Sequence, residues 1–226
     1  AHGALRMVDV DGVSQMTAVA EAALDRFKSG AVKCSTDHVE AVSRLYQALV
    51  EYLEELLEGA PSQPARLFPY YRAVQEMIGA DRIHPADLFF PDLSHLPRLE
   101  PAADGDAADP VADPVALYTA CRQRFERALL PYLKSTEPAR QKEHAATLLD
   151  AVKLVADAQR DAEARAFWLA MRGFAELVAS GELAGGLYVK QLFGLINLQI
   201  RRLSQGTAAL PDTMLRDALF FIAAAG

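Results

Sequence analysis

The sequence holds few cysteines, one tryptophan, no cluster of basic residues and no apolar run of 18 residues or more. Each shortage excludes something. Without a long apolar run, no segment is expected to span a bilayer. The opening residues do not read as a charged-then-apolar signal segment. Lys and Arg number 23 against 30 Asp and Glu, a formal net charge of −7. Nucleic-acid binding rests on clustered cations that neutralise phosphates, so no nucleic-acid partner is expected. Insertion into, or direct adsorption on, an anionic membrane is disfavoured for the same reason. The two cysteines, Cys34 and Cys121, make no CxxC and fall in separate helical patterns. They read as two buried, reduced thiols of a cytoplasmic protein rather than as a disulfide. Gly-rich phosphate loops, nucleophile elbows and HExxH motifs are missing, and no acid–base set, cofactor or catalytic residue is expected.

What the chain does have is apolar residues, 51% of the total, recurring at helical spacing. Ala1–Val8 reads as the tail of a helix already under way, followed by a turn at Asp9–Gly12. Val13–Ser29 then forms an amphipathic helix closed by Gly30. Ser35, Thr36 and Asp37 offer a cap for a long helix to about Glu58. Its apolar stripe is read as Val39, Val42, Tyr46, Leu49, Leu53 and Leu56/Leu57. A further helix is expected over about Ala65–Gly79, with Pro69 tolerated only in its first turn.

Ile83–Pro97 is the least ordinary stretch. Prolines 85, 91 and 97 forbid a long helix, while Leu88, Phe89, Phe90 and Leu93 would be costly to leave in water. The expectation is an extended strap pinned on a helical body. Residues 100–112 turn to Pro, Ala, Asp and Gly and read as an acidic linker.

The second half is helical almost throughout. Asp113 caps a helix with Pro114 in its first position. Further helices are expected over Glu137–Ala158, Asp161–Ser180, Leu187–Ser204 and, capped by Asp212, Thr213–Ala225. Leu187–Ser204 is apolar nearly all round and is predicted to lie at the centre of its bundle. Leu215, Leu219 and Ile222 are predicted to face inward. No window alternates with period two, so no sheet is expected.

His84, Asp87, Asp92 and His95 are ligand-type residues gathered in the strap, but their order is not a ligand spacing. They are ordinary loop formers and caps, and no metal site is predicted. Phe167, Trp168, Met171 and Phe174 read as core rather than as a ligand pocket. His144 and the row Arg122, Arg124, Arg127 read as solvated helix faces.

The segment Ala1–Leu24, a helix, a glycine turn and a second amphipathic helix, resembles the middle of a histidine phosphotransfer (Hpt) domain. In that family an exposed helical His carries the phosphoryl group, with a cation three positions on and a Gly four positions on. The cation neutralises the phosphate and the glycine admits the receiver domain. His2 and Gly3 align with the cation and glycine positions, which implies an acceptor upstream of Ala1. The alternative makes His2 the acceptor, with Leu5 in the place of the cation. No other HxxKG pattern occurs.

The stretch LLEGAPSQPARLFPYYRAVQEMIGADRIHPADLFFPDLS (residues 56–94) carries a more specific likeness. FERALLPYL at Phe125–Leu133, AFWLAMRGFAELV at Ala166–Val178 and LRDALFFIA at Leu215–Ala223 extend it. These are similar to the N-terminal region of the CheA-like hybrid histidine kinases of type IV pilus chemosensory systems, the PilL and ChpA type. They also resemble the kinase-lacking pilus scaffolds of the FimL type. The resemblance implies an all-α protein of two consecutive Hpt-like helical bundles: residues 1–99 including the strap, a linker at 100–112, and residues 113–226. It further implies a non-catalytic docking or scaffold region in a phosphorelay that controls type IV pili and twitching motility. Its partners would be response-regulator receiver domains or polar pilus proteins. An active phosphotransfer domain, using His2 or an upstream His, is the alternative.

Overall fold

The computed structural model describes residues 10–91, 113–207 and 209–225. The chain divides into two compact units, Ala1–Asp92 and Leu93–Gly226. The described residues contain α-helices and short 3₁₀ turns and no strand. No helix among them is long and apolar enough to cross a membrane.

The first unit packs three α-helices: α1 (Val13–Ser29), α2 (Thr36–Leu57) and α3 (Phe68–Met77). Gly12 precedes α1 with φ of +86°, and a Cβ there would come within 2.7 Å of Pro64 Cβ. Both the left-handed backbone and the close approach require glycine. Ser35 caps α2, its hydroxyl accepting the His38 backbone N–H at 3.3 Å. The expected single helix over Ala65–Gly79 is instead a 3₁₀ turn, Pro64–Leu67, that runs into α3. Pro69 sits in the first turn of α3, where its missing N–H has no helical partner to lose.

The buried face of α2 differs from the predicted stripe. Val42, Leu45, Ala48, Leu49 and Tyr52 are buried, whereas Val39, Tyr46 and Leu57 are exposed. The helix carries two apolar seams, and the periodicity reading merged them.

The described part of the strap is not extended throughout. Pro85–Leu88 forms a second 3₁₀ turn, which packs against the first. Ala86 and Leu88 are fully buried, and Leu88 joins Val13, Met16, Leu45 and Leu67 in the core. Phe89 and Phe90 are half-buried. Leu93–Pro97 and the acidic linker at 100–112 lie outside the described residues. Cys34 is exposed and Cys121 buried, so the expectation of two buried thiols holds for one only; both are free.

The second unit packs α4 (Pro114–Lys134), α5 (Pro138–Asp157), α6 (Ala162–Ser180), α7 (Leu187–Ser204) and α8 (Asp212–Ala225). Asp113 and Asp161 cap α4 and α6 through the backbone N–H groups of Ala116 at 3.0 Å and Ala164 at 2.9 Å. Around the bundle α4 lies beside α5 and α7, α6 lies beside α5, and α8 closes the ring between α6 and α7. Phe193 of α7 is the hub of the core. Its ring lies 5.0 Å from both Tyr132 and Phe174 and 6.2 Å from Phe125.

Two expectations need correction here. Helix α7 is a wall of the bundle and not its centre, because Leu187 and Leu198 on its far side are exposed. In α8 the buried residues are Met214, Asp217, Ala218 and Phe221, and the predicted Leu215 and Leu219 flank them, partly buried against the core. The Pro211 carbonyl accepts the backbone N–H groups of Met214 and Leu215. Asp212 therefore belongs to the first turn of α8, where its charge suits the helix dipole.

Candidate functional site

The strap explains itself as a cap. His84 is 2% exposed, and its Nδ1 accepts the Ala86 backbone N–H at 3.0 Å. Asp87 Oδ2 in turn accepts the His84 backbone N–H at 3.2 Å. This reciprocal pair is a capping box made with an unusual residue, a histidine. Tyr71 donates to the same Asp87 oxygen at 3.4 Å, Gln75 donates to Tyr71 at 2.9 Å, and Arg82 lies 3.6 Å from Asp87 Oδ1. The polar atoms of His84 and Asp87 thus hold a turn against α3. Asp92 and His95, the other two ligand-type residues, lie outside the described residues, as does His2. No group of three or more His, Cys, Asp or Glu that could hold a metal occurs among the described residues.

The second unit carries a groove of about 530 Å³ between α4 and α5. Ala120, Ala128 and Pro131 keep its α4 wall low, while Arg124, Arg127, His144 and Thr147 supply its polar groups. Arg124 pairs with Asp150 at 2.7 Å, both about half exposed, so the pair contributes little to stability. Arg127 Nε donates to the Gln123 carbonyl at 3.2 Å. Cys121 of α4 is buried, and burial raises its thiol pKa, with Arg124 opposing in part. Arg124 and Arg127 bring two guanidinium groups to the groove, the first of them already paired with Asp150. A phosphoacceptor His needs more. Three positions after His144 stands Thr147, and four positions after it Leu148, which is fully buried. His38, the remaining described histidine with an exposed edge, bonds the Lys33 carbonyl through Nδ1 at 2.8 Å and stacks on Phe27.

A smaller pocket of about 380 Å³ lies at one end of the same bundle, lined by Tyr132, Gln141, Lys142, Gly185 and neighbours. Its lysine and amide, and Lys190 elsewhere in the unit, are committed to helix ends. Lys142 Nζ donates to the Ser180 carbonyl at 2.9 Å, Lys190 Nζ to Leu133 at 3.0 Å, and Gln141 to Ser135 at 2.6 Å. These satisfy carbonyls left over at helix C-termini. Gly185 is required because a Cβ would fall 2.9 Å from Tyr132 Oη and 3.2 Å from Gln141 Oε1. The Tyr132 hydroxyl is fully buried without a hydrogen-bond partner.

Burial raises the Tyr132 pKa from 10.0 to about 12. The unfolded chain therefore ionises first, so this residue's contribution is intact below pH 10 and is lost as pH rises toward 12. Tyr132→Phe is expected to stabilise the second unit by about 1 kcal/mol at neutral pH, because it removes an unsatisfied buried hydroxyl. It should also flatten the alkaline fall in stability. Urea titrations at neutral pH and near pH ~11 check both effects.

Arg124 and Arg127 stand 20 and 17 residues before His144 in the sequence; the structure brings them together across two helices. The available signal was the spacing 120, 124, 127 and 131 of small residues and arginines along α4, which marks a low, cationic ridge.

Two all-α units, with surface grooves between neighbouring helices of each, define a helical-bundle protein. Residues 110–226, just over half of the chain and including all five helices of the second unit, match the family model described as the FimL scaffold protein second domain. The chain belongs to that family. No curated protein and no solved structure matches it.

Proposed function

We propose that this chain is a non-catalytic scaffold of type IV pilus chemosensory signalling, docking receiver domains or polar pilus proteins through its helix faces. Membership of the FimL scaffold family supports the scaffold role. The observation that carries the non-catalytic part is the α4–α5 groove. It pairs His144 with Arg124 and Arg127, yet Thr147 and Leu148 stand where phosphotransfer needs a cation and a glycine. In this reading the arginines hold an acidic surface of the partner and His144 is one more contact. Attachment to a hybrid kinase of the PilL or ChpA type is a variant of the same proposal, in which the units dock substrates of a kinase core elsewhere in the protein.

Chromosomal variants test this in the source bacterium. His144→Ala should leave twitching zones close to wild type, whereas Arg124→Glu with Arg127→Glu should abolish twitching at unchanged protein level. Wild-type twitching in the double glutamate variant would sink the docking reading, and acid-labile phosphate on a histidine would favour the phosphotransfer alternative, whose acceptor is His2 or a His upstream of Ala1.

A further inference from the structure

Most of the outer seam of α2 stands open among the described residues of the first unit. Val39, Tyr46, Val50 and Leu57 are 53%, 37%, 52% and 88% exposed, whereas Leu53 among them is half-buried and packs against the unit's own core. With Ser43 they fall at positions 39, 43, 46, 50, 53 and 57, alternating steps of four and three. That is the spacing of a coiled-coil seam, on which the knobs of a second helix seat between pairs of residues. The inner seam, Val42, Leu45, Leu49 and Tyr52, already holds the helix in its own core. Nothing in the stability of the unit therefore requires the outer one. From Val39 to Leu57 it runs about 27 Å along the helix, enough for roughly five turns of a partner.

The flanks of the seam are unlike each other. On one side lie Val42, Leu49 and Leu56, which belong to the unit's own interior. On the other lies an exposed row, Glu40, Gln47 and Glu54, backed by Glu51 and Glu58. Arg44 is the sole cation on this side of α2 and is ion-paired with Glu40. A helix seated on the seam therefore meets carboxylates along its one open edge.

We propose that this seam is a docking site for an amphipathic partner helix whose apolar stripe is flanked by lysine or arginine. A second copy of this chain fits poorly. Antiparallel pairing about a two-fold axis would set the Glu40–Glu54 row against its own copy, and parallel pairing would need the edge that α1 and the core occupy. A basic flank turns the same row into opposite-charge pairs, which set both orientation and partner choice. The site lies in the first unit and is independent of the α4–α5 groove.

Fluorescence anisotropy on the intact chain tests this. The probe is a labelled three-heptad peptide with a Leu/Ile seam and Lys at the flanking positions. A sister peptide carries Glu at those positions. The Lys peptide should bind, the Glu peptide at least about tenfold more weakly. Val50→Asp should weaken the Lys peptide by at least about tenfold with little change in melting temperature, because that side chain is 52% exposed. Binding should also weaken several-fold as salt is raised. Equal binding of both peptides, no binding of either, or full binding to Val50→Asp would overturn the proposal. So would a dimer in sedimentation equilibrium that Val50→Asp dissolves, since the second copy would then be the occupant.

Discussion

Phe193→Ala is expected to cost the second unit about 3–5 kcal/mol, the range for removing a large buried aromatic ring. Phe193 is fully buried and touches rings from two other helices, Phe125 and Tyr132 of α4 and Phe174 of α6. Phe174 itself packs on Phe221 of α8 at 5.5 Å. Closing the cavity would require moving three helices at once, so little relaxation is available and the cost should lie toward the upper end. Since a domain's whole stability is about 5–15 kcal/mol, the change is large enough to lower the melting temperature by many degrees. Hydrogen exchange should place the loss in α4–α8, with α1–α3 keeping their protection, because the two units are separately compact. Equal loss of protection in both units would contradict that division.

Leu88→Ala should cost the first unit about 2–5 kcal/mol, although Leu88 lies in a four-residue 3₁₀ turn and not in an α-helix. The side chain is fully buried and approaches the point where Gly12 leads into α1, its Cδ2 lying 3.8 Å from the position of a Cβ there. Phe90→Ala, at a larger but half-buried residue, should cost distinctly less. Denaturant titrations of the two variants check the order. A reversed order would mean that the Phe pair, rather than the Pro85–Leu88 turn, anchors the strap.

Helix boundaries were legible because they are written in local chemistry. Gly30 ends α1 with a left-handed φ of +75°, Ser35 and Asp113 cap as predicted, and Asp161, expected as the first residue of its helix, is its cap. Which face of a helix turns inward is set by its neighbours and was less legible. On α2, two seams lie close enough in angle that periodicity blended Val39 and Tyr46 with Val42 and Leu49. In α8 the apolar residues are so dense that a shift of one register satisfies the pattern equally well. The strap's turn was missed because Pro85, Pro91 and Pro97 read as extended backbone, whereas Pro85 opens a 3₁₀ turn that His84 caps. Asp87 was read correctly as a cap. The α4–α5 groove depends on pairing between helices, which no single-helix pattern encodes. Only the separate residues, Arg124, Arg127 and His144, were visible beforehand.

Intact-mass analysis after incubation with a phosphorylated receiver domain and with acetyl phosphate tests the proposed non-catalytic scaffold role most directly. A scaffold that docks its partners without carrying phosphate keeps an unmodified mass under both conditions. Stoichiometric acid-labile phosphate on any histidine, His144 and His2 included, would contradict it.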